Sequence, residues 1–65
     1  MTNLLSRKTV ADLVDLHPEH ISRMARAGRF PKPIKFSDAK NSTVRFVAEE
    51  IEAWIAARLA EREAA

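Results

Sequence analysis

A chain of 65 residues makes one domain at most, near the lower limit at which a hydrophobic core alone outweighs the entropy lost on folding. Its 46% hydrophobic and 31% charged content suits a small folded module, with little room for a catalytic cleft, so enzyme activity is not expected. The absence of cysteine excludes a disulfide framework and a thiolate metal site and fits a reducing, cytoplasmic setting.

The opening, MTNLLSRKTV, offers only Leu4 and Leu5 before charge intervenes, too little for a signal peptide or a membrane span, so a soluble protein is expected. The net charge of +2 is unevenly spread. Residues 17 to 47 hold seven lysines and arginines against Glu19 and Asp38, a net +5, whereas residues 48 to 65 carry a net −3. Such a field suits an anionic partner met by the middle of the chain.

The first helix is expected from Arg7 to Asp15, with Ser6 as its cap and Val10, Leu13 and Val14 as its buried stripe. Leu5, just before the cap, is placed to pack on Val10. HPEH, residues 17 to 20, then raises three alternatives: a metal site, an acid/base pair, or the first turn of another helix. A metal would need further ligands, yet the chain has only these two histidines, and on a helix Glu19 points about 100° from His20. No nucleophile, glycine-rich phosphate loop or paired carboxylates accompany them for catalysis.

The helical reading fits better. Pro18 suits the first helical position because it has no amide hydrogen to waste, Ile21 can pack on Leu16, and Gly28 closes the segment. A second helix over residues 18–27 buries Ile21, Met24 and Ala25 and presents Glu19, Arg23 and Arg26, with His20 and Ser22 at their flanks. Two short helices joined so closely, the second basic outside, have the sequence form of a helix-turn-helix, with Asp15 where many such turns have glycine.

In GRFPKPIKF, Pro31 and Pro33 forbid helix. Ile34 and Phe36 alternate with Lys35, and Val44 and Phe46 with Arg45, giving two half-buried strands around SDAKNST. That describes a hairpin whose outward Lys35 and Arg45, with Lys40 and Asn41 at its tip, extend the basic surface. Residues 48–62 make a third helix on a stripe of Ile51, Trp54, Ile55 and Leu59, with Trp54 as core anchor. Residues 1–5 and 61–65 are expected to fray.

LLSRKTVADLVDLHPEHISRMARAGRFPKPIKF followed by VRFVAEEIEAWIAARL resembles the AlpA-type regulators of phages and prophages over nearly the whole chain. The specific part is GRFPKP between a helix-turn-helix and an EIEAWI helix. The resemblance implies a mainly α fold with a small β-hairpin, a MerR-like winged helix-turn-helix in the order α-α-β-β-α. Members bind double-stranded DNA as small transcriptional regulators, for example of integrase genes, and related proteins are excisionases that bend attachment-site DNA. The recognition helix corresponds to residues 18–27 and the wing to residues 37–43. His17, where members often carry Ser or Thr, and Ser22, where they often carry an aromatic residue, depart from the pattern.

The candidate DNA-binding residues are therefore His17, Glu19, His20, Ser22, Arg23, Arg26, Lys35, Lys40, Asn41 and Arg45. His17 is divided between a capping role and a DNA contact, and His20 is assigned to phosphate or a base edge beside the amides of the first turn. No cofactor and no metal are expected. The chain is read as a monomer in solution that assembles as several copies on neighbouring sites, because one small module buries limited surface. An excisionase role, or docking on a protein such as an integrase, are the alternatives.

Overall fold

The computed structural model describes residues 3–36 and 43–64. Within them the order is β1 (Leu4–Leu5), α1 (Arg7–Val14), α2 (Pro18–Arg26), β2 (Ile34–Lys35), β3 (Val44–Val47) and α3 (Ala48–Ala64). The described chain is thus mainly helical, with three helices and a small antiparallel sheet. The expected tip residues Lys40 and Asn41, and most of the expected wing at 37–43, lie outside the described residues.

Local chemistry sets the boundaries of the first two helices. Ser6 is extended and its Oγ accepts the Thr9 amide at 3.1 Å, which satisfies one donor that the first turn leaves over. At the other end Asp15 takes φ 56° and ψ 45°, the left-handed conformation, and the Leu16 amide reaches back to the Ala11 carbonyl at 3.0 Å. Asp15 therefore does the work of a turn glycine, which a short polar side chain tolerates better than a branched one. Only Leu16 and His17 then separate that turn from α2.

His17 caps α2: its Nδ1 accepts the Glu19 amide at 3.1 Å, and Pro18 occupies the first helical position. Gly28, at φ 78°, closes the helix, with its amide on the Ala25 carbonyl at 3.2 Å and the Arg29 amide on the Met24 carbonyl at 2.9 Å. This paired return satisfies carbonyls the last turn would otherwise leave bare.

β3 is the middle strand, with β1 and β2 antiparallel on either side. Leu4 pairs with Val47 and Leu5 with Phe46, and the Ala48 amide donates to the Asn3 carbonyl at 2.8 Å. Leu4 and Leu5, within the segment expected to fray, are thus paired across the sheet.

The hairpin's facing also differs from expectation. Ile34 pairs with Arg45 and Lys35 with Val44. Because side chains alternate across a sheet, Lys35 shares a face with Val44 and the buried Phe46, while Ile34 and Arg45 share the opposite one. Lys35 and Arg45 are not on one outward surface, and Ile34 and Phe36, expected on the buried side of their strand, are 43% and 56% exposed. Phe30, four residues earlier, supplies the buried aromatic instead.

The core consists of Val10, Ala11, Ile21, Ala25, Phe30, Phe46 and Ile51, with Leu5, Val14, Leu16, Met24, Trp54 and Ile55 packed around it. Phe30 meets the edges of two rings, Phe46 at 5.9 Å and Trp54 at 4.8 Å between centroids. Trp54 is half-buried and its indole N–H donates to the Arg29 carbonyl at 2.9 Å, which ties α3 to the segment leaving α2. Leu13 and Leu59, each expected in the buried stripe of its helix, are 58% and 46% exposed. From Ala56 onward every described side chain of α3 is exposed, because nothing in the described chain packs beside its later turns. The helix nonetheless continues to Ala64, past its expected end, through residues that favour helix and an Arg58–Glu61 pair at 2.8 Å.

Two stability predictions follow from these positions. Asp15→Gly relieves the left-handed backbone and should stabilise the domain by about 0.5 kcal/mol, raising the thermal midpoint by roughly 2–4 °C in a circular dichroism melt. Phe46→Ala should cost about 3–5 kcal/mol, a large share of what so small a domain has, whereas Ile34→Thr, which keeps a β-branched residue at an exposed position, should cost less than about 0.5 kcal/mol. Denaturant titration compares the last two, and equal losses would contradict the observed register.

Candidate functional site

The outer face of α2 presents Glu19, His20, Arg23 and Arg26, all exposed, because Ile21 and Ala25 turn the opposite face into the core. Ser22 lies at the margin, half-buried, and its Oγ accepts a hydrogen bond from the Arg7 guanidinium at 3.1 Å. That contact crosses from the first turn of α1 to the middle of α2, so Arg7 joins a surface that the sequence reading built from α2 and the hairpin alone.

Beside this face is a concavity of about 460 Å³. Its polar wall is Arg7, Ser22, Arg26, Lys32 and Lys35, and its apolar lining is Ala25, Pro33, Val44 and Phe46. Three segments supply the cations: the start of α1, the outer face of α2, and the extended run into β2. Lys35 arrives there through the register that pairs it with Val44. No carboxylate is among the described residues lining the basin, and among the described residues none of its four cations forms an ion pair. Four positive charges close together repel one another, so the basin is a region of positive potential suited to an anion.

A second, shallower depression over Trp54 differs in kind. It mixes Arg29 and Arg58 with Glu50, and the Arg58 guanidinium lies over the Trp54 ring at 5.2 Å from its centroid. Here the charges are mixed and one cation is engaged by an aromatic face, so there is no comparable field.

The first turn of α2 has less to offer an anion than its sequence suggests. Pro18 has no amide hydrogen, the Glu19 amide is taken by His17 Nδ1, and the His20 and Ile21 amides both bond the His17 carbonyl, at 2.9 and 3.2 Å. The donors that make a helix N-terminus attractive to phosphate are therefore occupied within the chain, and any attraction must come from side chains. His17 is engaged as a cap, and His20 stands exposed beside it. Among the described residues, no group of three or more His, Cys, Asp or Glu side chains is placed to hold a metal ion.

Of the remaining candidates, Arg45 lies on the far side of the sheet from the basin, and its guanidinium donates to the neighbouring Val44 carbonyl at 2.7 Å. It does not join the α2 surface. Arg7 and Lys32 do, and the sequence reading missed both. Lys32, between two prolines, carried no signal beyond its charge, and Arg7 is brought in only by the packing of α1 on α2. Among the described residues, no helix is long and apolar enough to cross a membrane.

No curated protein and no solved structure matches the chain. One family model does match it, over residues 1–60, and its description is "Uncharacterised protein". The chain, matched over nearly all its length, belongs to that family.

Proposed function

We propose that the protein binds double-stranded DNA sequence-specifically, as a small regulator of the AlpA type with a winged helix-turn-helix. In this reading α1, the Asp15 turn and α2 form the helix-turn-helix, α2 enters the major groove, and the β2–β3 hairpin is the wing. Arg23 and Arg26 donate to guanine edges or phosphates, and Glu19 accepts from cytosine or disfavours other bases. His20, at the leading end of α2, reaches a base edge or the backbone.

The observation that carries the reading is the basin. Four cations from three segments converge, with no carboxylate on the described lining, directly beside the helix face that presents Glu19, His20, Arg23 and Arg26. A polyanion that also offers base edges satisfies both features at once. The acidic residues of α3, Glu49, Glu50, Glu52, Glu61 and Glu63, belong to another element and do not line the basin.

A second reading, docking on a protein partner, draws on Leu4, Ile34 and Phe36, each at least 43% exposed. Leu4 and Ile34 share the sheet face turned away from Phe46. Binding there would be apolar and would persist at high salt.

The experiment is a salt series of binding to preferred and random-sequence duplexes, for the native chain and Arg23→Ala. Neutralising three to five phosphates should give a slope of log affinity against log salt of about −3 to −5. Arg23→Ala should cost about 1–3 kcal/mol on the preferred sequence and little on random DNA. No binding at low salt, or affinity flat with salt and indifferent to Arg23, would overturn the DNA reading.

A further inference from the structure

We propose that the basin takes one backbone phosphate of the bound duplex, and that Ser22 is a positioning residue that aims Arg7 at it rather than a reader of bases. The inference rests on the DNA reading and divides its labour: base edges go to the exposed face of α2 around Arg23, and the backbone goes to Arg7, Lys32 and Lys35.

Three observations converge on this division. The first-turn amides of α2 are all absent or occupied, so the common main-chain phosphate site at a helix start is closed. The basin offers an alternative built from side chains, over a floor that includes the buried ring of Phe46. Cations over an apolar floor are less screened than cations in open water, so their attraction for an anion is stronger there.

The third observation is the 3.1 Å bond from the Arg7 guanidinium to Ser22 Oγ. A guanidinium has five N–H donors in a rigid fork, and committing one to Ser22 fixes the plane of the rest without using them up. Ser22 itself is half-buried. The lysines need no such support, because an ammonium acts as a point charge from many orientations.

The test measures binding to a preferred and a random-sequence 20-base-pair duplex across a salt series, for the native chain and for Arg7→Gln, Lys32→Gln, Lys35→Gln, Ser22→Ala and Ser22→Thr. Each glutamine variant should lower affinity by about twofold at 0.1 M salt on both duplexes alike, and the three combined by about eightfold, with a salt slope shallower by about one, the effect of losing the one phosphate they share. Ser22→Ala should weaken both duplexes equally, by a smaller factor, and Ser22→Thr, which keeps the hydroxyl acceptor, should restore binding. A duplex with an uncharged methylphosphonate at the contacted phosphate should bind the native chain and Lys35→Gln almost equally. If the native chain binds with a steep salt slope while the combined glutamine variant keeps that slope, or if Ser22→Ala changes which sequence is preferred, the inference fails and the DNA reading stands. If the native chain binds neither duplex at low salt, both fall together.

Discussion

The structure depends on Phe46. It lies on the middle strand of the sheet, is 1% exposed, and belongs to the same buried cluster as Val10 of α1, Ile21 of α2 and Ile51 of α3. One buried cluster thus joins every layer of a domain that has no disulfide to share the load. Phe30 extends the contact to Trp54, and the Trp54 indole fixes the segment after α2 through the Arg29 carbonyl. The same Phe46 is part of the basin floor, so the core and the candidate site share a residue. The arrangement of the basic side chains follows from that core: α1 brings Arg7 and α2 brings Arg26 because both helices contribute residues to the buried cluster, and β2 brings Lys35 because it pairs with β3.

Charge follows the same division. The middle of the chain carries the positive excess and supplies three of the basin's four cations, whereas the acidic residues of residues 48–65 are carried by α3. Separation of this kind sets up a field across a small body, which favours one orientation of approach to a polyanion and raises the encounter rate at low salt. Like charges gathered without partners oppose folding, and a bound phosphate would relieve that repulsion. On the proposed reading, the region least comfortable in the free protein is the one that DNA satisfies.

The sequence made the helices legible because their signals are local. The stripe of Ile21 and Ala25, the Ser6 cap, Pro18 at the first position and Gly28 at the end all act within a turn or two, and α2 lies within a residue of its expected span. Asp15 was recognisable as standing in a glycine's place, and its left-handed backbone is the physical counterpart. The sheet was less legible. A two-residue strand such as Leu4–Leu5 has no period to detect, and the facing of Ile34 and Lys35 is decided by pairing with β3 rather than by their own alternation. The site was half legible for the same reason: the face of α2 follows from helical geometry, but the convergence of Arg7 and Lys32 on Ser22 and Lys35 requires knowing how distant segments meet. Leu59 was misplaced because helical spacing says which side of α3 it occupies and nothing about whether a neighbour lies there.

The most direct test of the central claim, that one face made of α2 and the basin meets DNA, is to titrate the isotopically labelled protein with a 20-base-pair duplex and follow each backbone amide by NMR. The account predicts that the largest shifts fall on His20 to Arg26, Arg7 and residues 32–35, with Glu49 to Glu63 of α3 nearly unchanged. Shifts concentrated on α3 or on the outer sheet face around Leu4 and Ile34, with α2 silent, would contradict it.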